Sequence, residues 1–76
     1  MTHKAPPKRG FITTLRRLSR KGETRWVDPR SNRLYTWDAL HGELEVFTRH
    51  GHHLGAVDPL SGRLVKPPVK GRKLDV

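Results

Sequence analysis

From Arg25 onward, apolar and polar residues alternate in short runs, and Gly, Pro, Asp and Asn break the runs at intervals. The runs "TRWV", "RLYTW", "ELEVF", "HLGAV" and "RLV" each read as a short strand. The breaks "DPRSN", "ALHG", "RHGHH" and "DPLSG" read as turns. Residues 11–21 follow a different period. Phe11, Leu15 and Leu18 stand at i, i+4 and i+7, with Ile12 beside them and Gly22 after the run, which predicts a short helix. The expected fold is α+β, with a short N-terminal helix followed by a four- to five-stranded antiparallel meander. Residues 1–10, "MTHKAPPKRG", lack an apolar pattern and read as a flexible basic arm ahead of a single domain over 11–76.

Side-chain alternation assigns faces within the central hairpin. Around the turn "ALHG", one register packs Tyr35 and Trp37 with Leu44 and Val46. The same register gathers Asp38, Glu43 and Glu45 on the opposite face, with His41 at the rim and His52 and His53 approaching from the next strand.

Charge makes this cluster unusual. The chain has 76 residues, 16 Lys and Arg against 7 Asp and Glu, and a net charge of +9. Such a charge favours polyanions, nucleic acid first. The charges are also segregated. Residues 1–36 hold ten basic and two acidic side chains, whereas residues 37–58 hold one Arg, four acids and four of the five His. Carboxylates weaken phosphate binding, and like charges on one face repel. Acids kept inside a basic chain therefore point to proton transfer. RNA offers a matching reaction without metal. A base takes the ribose 2′-hydroxyl proton, an acid protonates the departing 5′-oxygen, and a cation steadies the phosphate.

Other classes fit less well. The absence of Cys removes disulfides and thiolate metal sites. No apolar run reaches the length of a membrane span or a signal-peptide core, so a soluble chain without its own export signal is expected. A metal site on "HGHH" (His50, His52, His53) is confined to one turn. A non-catalytic RNA- or ribosome-binding module accounts for the basic flanks and the aromatic residues, but not for the acids.

The blocks "YxWDxxHGELE" and "HLGxxDPxxG", followed by a basic tail, occur in that order between Arg25 and Arg72. In these blocks the chain resembles the C-terminal ribonuclease domain of the E-type colicins that cut 16S ribosomal RNA. The resemblance implies a strongly twisted sheet and catalysis by Asp38, His41 and Glu45. In the family the glutamate at Glu45 is usually the base and the histidine at His41 the proton donor or co-catalyst, with Asp38 orienting or tuning them. The residues themselves leave the division of acid and base roles between His41 and Glu45 open. The family's tail arginine falls on Arg72, and Glu43 and His53 would be secondary active-site residues. Arg16, Arg17, Arg20, Lys21, Lys66, Lys70 and Lys73 are candidate RNA contacts. The resemblance further implies no cofactor and no metal, a target in 16S rRNA at the decoding centre, and a tightly bound acidic immunity protein or antitoxin. It implies a monomer when free, acting in the bacterial cytoplasm, either made alone or carried in a secreted toxin. The turn "TRHGH" is one residue shorter than in the family's type member, which bears on where His53 falls.

Overall fold

The computed structural model describes residues 3–76. Six strands form one antiparallel sheet in chain order: β1 (Arg16–Arg20), β2 (Glu23–Val27), β3 (Leu34–Asp38), β4 (Glu43–Phe47), β5 (His53–Val57) and β6 (Leu64–Lys66). Each strand pairs with its chain neighbour, as the turn signals require.

The expected N-terminal helix is absent, the sheet has six strands where four to five were expected, and the fold is nearly all β. Residues Phe11–Thr14 form a single 3-10 turn, and the chain is extended by Leu15. Two local causes oppose a helix. Thr13 and Thr14 are β-branched, and their hydroxyls donate to the backbone oxygens of Gly10 and Phe11, each at 2.7 Å. Tertiary pairing supplies the second cause. Leu18 lies opposite Arg25 and Ser19 opposite Thr24, so "RRLSR" becomes the sheet's first strand. Ile12 and Leu15, three positions apart, are still buried in the core with Phe11 packed against them, but through a turn and not through a helical stripe. The backbone amides of Phe11 and Ile12 donate to Leu60 and Pro59 oxygens at 2.8 and 2.9 Å, fixing that turn over the sheet.

The central hairpin has the register that alternation predicts: Tyr35 opposite Val46, Thr36 opposite Glu45, Trp37 opposite Leu44 and Asp38 opposite Glu43. Trp26, Tyr35, Leu44, Val46 and Val57 join Ile12 and Leu15 in the buried cluster. Trp37 is only partly buried against it, and its indole N–H donates to the Lys4 oxygen at 2.8 Å. The expected basic arm starts at Met1 and Thr2, which lie outside the described residues. Within it, the Lys4 amide donates to the Ala39 oxygen at 2.8 Å.

Candidate active site

Asp38 closes β3 and opens the turn to β4. Its Oδ1 accepts from the backbone amides of Leu40 and His41, each at 3.1 Å, and its carbonyl accepts from Gly42. Gly42 sits at φ 68°, a conformation that closes this turn at little cost for glycine. Asp58 begins the β5–β6 turn in the same way, accepting from Leu60 and Ser61. At Asp38 the second oxygen is put to further use: Oδ2 lies 2.8 Å from His41 Nδ1. Burial pushes the Asp38 pKa up, but the hydrogen bonds from the His41 side chain and amide, the His41 charge and the Leu40 amide outweigh it and lower it. A carboxylate accepts, so His41 donates from Nδ1 and turns Nε2 away from Asp38. The His41 ring is about half exposed.

Glu45 lies in mid-β4, nearly buried, on the face opposite Leu44 and Val46. Arg72 Nη1 reaches its Oε1 at 2.8 Å, and His53 Nε2 reaches the same oxygen at 3.2 Å. The Val69 amide donates to His53 Nδ1 at 2.8 Å, so the ring proton sits on Nε2 and is donated to Glu45. Both contacts fall on Oε1, and Oε2 accepts no hydrogen bond among the described residues.

A β-bulge places His53 there. Val46 pairs with Gly55 but Phe47 pairs with His53, so Leu54 is the extra residue. In a regular ladder Leu54 would oppose Phe47, and His53 would point toward the core. The bulge reverses this: Leu54 packs on the core, while the His53 ring lies tilted against Phe47, 5.2 Å between centroids, and meets Glu45. Gly55 completes the bulge at φ 129°, where a Cβ would strike the Lys66 oxygen at 2.5 Å.

The C-terminal tail closes the site. The His53 amide donates to the Arg72 oxygen at 3.2 Å, the Leu74 amide to the Gly51 oxygen at 2.8 Å, and His52 bridges to Lys73. Asp75 accepts ion pairs from Arg20 at 3.3 Å and Lys21 at 3.6 Å. These two cations pull the Asp75 pKa down. One cleft is lined by Asp38, His41, Glu45, His53, Lys66 and Arg72, all from the sequence-predicted set.

Glu43 lies at its edge, with Lys66 Nζ 3.0 Å from its Oε1. The contact is an ion pair without hydrogen-bond alignment, since that buried oxygen has no hydrogen-bond partner. Lys70 and Lys73 line a neighbouring groove with His52, His53 and Arg72. Arg16 and Arg17 are exposed on β1, away from this cleft, and Arg17 lies 6.0 Å over the Trp26 ring.

The "HGHH" residues do not converge on one point. His53 is committed to Glu45 and Val69, and His50 accepts from Arg49 at 3.3 Å. The residues that can hold a cation among those described are instead Asp38, His41 and Glu43, whose ligand atoms lie within 4.8 Å of one another. Sequence reasoning passed over Arg25. It is 3% exposed and lies on Glu45's face. The signal was present in "TRWV": once Trp26 faces the core, its neighbour must face the site.

A family model named Cytotoxic matches residues 12–75, a span that includes every strand and all six of these cleft residues. This chain belongs to the Cytotoxic family. It is a cytotoxic domain of the E-type colicin kind, similar to cloacin of Escherichia coli, with 43% identity over 51 residues. Colicin E3 and colicin-E6 of the same organism are 39% and 37% identical over the same length. Each alignment covers 66% of this chain but 9% of the relative, so the cytotoxic domain spans a small part of the relatives' length. No helix among the described residues is long and apolar enough to cross a membrane.

Proposed function

We propose that this cytotoxic domain is a metal-independent endoribonuclease that cleaves 16S rRNA at the ribosomal decoding centre and so blocks translation. The observation that carries the reading is a carboxylate with one committed oxygen. Arg72 and His53 hold Glu45 Oε1, and Oε2 is left to accept the proton of a ribose 2′-hydroxyl. The deprotonated oxygen attacks the adjacent phosphorus and the bond to the 5′-oxygen breaks, giving a 2′,3′-cyclic phosphate and a 5′-hydroxyl end. His41 Nε2 delivers the proton to that leaving oxygen, with Asp38 holding the ring through Nδ1. Arg72 is half exposed, and its guanidinium can follow the charge as it builds on the phosphoryl oxygens. Lys66, Lys70 and Lys73 border the same region and supply salt-dependent affinity for the RNA backbone.

A domain of this kind endangers the cell that makes it. An acidic immunity protein or antitoxin is the matching partner, steered by the +9 charge. The target lies in the bacterial cytoplasm, and a secreted toxin is the matching carrier.

The test is incubation of the protein with intact bacterial ribosomes in EDTA, with rRNA ends mapped by primer extension and Glu45→Gln run in parallel. A single new end near the 3′ end of 16S rRNA, absent with the variant, is the expected result. Scattered cuts would remove the decoding-centre target. Tight ribosome binding without any cut would replace the enzyme with a binding module.

A further inference from the structure

Arg25 is a buried cation without a counter-ion. Its residue exposure is 3%, its Nε has no hydrogen-bond partner, and no acid among the described residues pairs with it. An arginine stays charged at any physiological pH, and burying an unpaired charge destabilises a fold. On the same face Arg20, Lys66 and Arg72 are paired with Asp75, Glu43 and Glu45, and Arg16 is exposed to solvent. Glu23, two residues along the same strand, is exposed and makes no ion pair with Arg25.

Sheet register locates Arg25 relative to the reaction. Trp26 lies opposite Tyr35, and Tyr35 opposite Val46, a row that faces the core. The neighbouring row, Thr36 opposite Glu45 and Glu45 opposite Ala56, faces the site. Arg25 precedes Trp26 and therefore shares Glu45's face, two strands away, or about 10 Å between backbones. Lys66, opposite Ala56, stands two strands away on the other side.

We propose that Arg25 is a second phosphate site, which holds a phosphate of the RNA other than the one being cut. The proposal rests on the ribonuclease reading for the identity of its ligand. The guanidinium fork matches two phosphoryl oxygens, and burial strengthens each charge-assisted hydrogen bond. With Arg72 on the scissile group, two arginines on one face fix the direction of the strand across Glu45. The energetic cost of the unpaired charge in the free protein is then offset when RNA binds.

The test uses inorganic phosphate as probe, at constant ionic strength, with melting temperature as readout. Wild type should melt higher in phosphate, by on the order of 5 °C at about ten times the dissociation constant. Arg25→Met should lose this rise yet melt as high as wild type, or higher, in phosphate-free buffer. Arg49→Met, an exposed control, should keep the rise. Equal rises in wild type and Arg25→Met, or no rise in either, would overturn the proposal. If Arg25→Met does not fold, the Arg25 Nε–H resonance of wild type decides. A saturable shift on phosphate titration supports the site, and a static signal overturns it. On RNA, Arg25→Met and Arg25→Lys should both lower kcat/KM by about 10- to 100-fold, the loss of a charged hydrogen bond. A phosphate effect through Arg25 without RNA cleavage by wild type would uphold the anion site and remove the ribonuclease reading.

Discussion

The two faces of the sheet use the same strands in opposite ways. On the core face, Trp26, Tyr35, Leu44, Val46 and Val57 touch one another, and contact follows directly from alternation. On the other face, Asp38, Glu45, His53 and Arg72 come from β3, β4, β5 and the tail, and each is held by a specific polar partner. Apolar packing is additive and tolerant of exchange, because any close contact contributes. The polar face is not tolerant, because removing one partner leaves another buried and unsatisfied. In a chain of 76 residues the first face supplies most of the stability, and the second is built at some expense to it.

Changes to the two faces should therefore separate activity from stability. The largest effect is expected from Glu45→Gln, which should cut the rate of rRNA cleavage by about 10²- to 10⁴-fold while the protein stays folded. Single-turnover kinetics beside a melting curve will show whether the two split. Leu44→Ala reverses the pattern. Leu44 is fully buried, and its truncation should cost about 2–5 kcal/mol in urea unfolding, with activity per folded molecule retained. Unchanged unfolding would mean that the core face is not where stability resides.

His53→Phe sharpens the comparison, since the tilted ring contact with Phe47 is kept and both hydrogen bonds vanish. A loss of about 1–3 kcal/mol is expected from the groups left unpaired. Faster hydrogen exchange at the Val69 amide should accompany it. A protected Val69 would mean that other contacts hold the tail.

The smallest effect concerns pH. The Asp38 pKa is lower folded than its ordinary 3.8, so ionised Asp38 favours the fold at neutral pH. That contribution is full above the unfolded value and is lost as pH falls through the lower folded value. Melting temperatures of wild type and Asp38→Asn should therefore differ at pH 6, converge from about pH 5 downward, and meet below the folded value. Parallel curves across that range would break the link between Asp38 and its turn.

How much of this was legible in the sequence differs between the same two regions. The hairpin register was readable because two-residue alternation fixes a face once one side is apolar. The segment from Phe11 to Leu18 was misread because three apolar residues at helical spacing can also be buried by a turn followed by a strand. Thr13 and Thr14 carried the contrary signal, which outweighed the spacing. The acids and His41 were legible as a cluster because one short turn brings them together. The approach of a histidine from the next strand was legible too, but which of His52 and His53 would arrive was not, since that depends on Leu54 being an extra residue against β4, for which Gly55 is the one local hint. Arg72 could be placed only by resemblance, because its contact with Glu45 spans 27 positions of chain whose path depends on the tail.

The connectivity of the sheet has a consequence for the order of folding. Neighbouring strands are joined by short turns, so each pairing closes a small loop and the meander can form quickly. The Arg20–Asp75 contact instead joins positions 55 residues apart. Closing a loop of that length costs more chain entropy than closing any of the hairpins, so the tail is expected to dock after the sheet has formed. The sheet can thus be complete while Arg72 is still away from Glu45. Formation of the scaffold and arming of the cleft are two separate events, with the tail as the final latch.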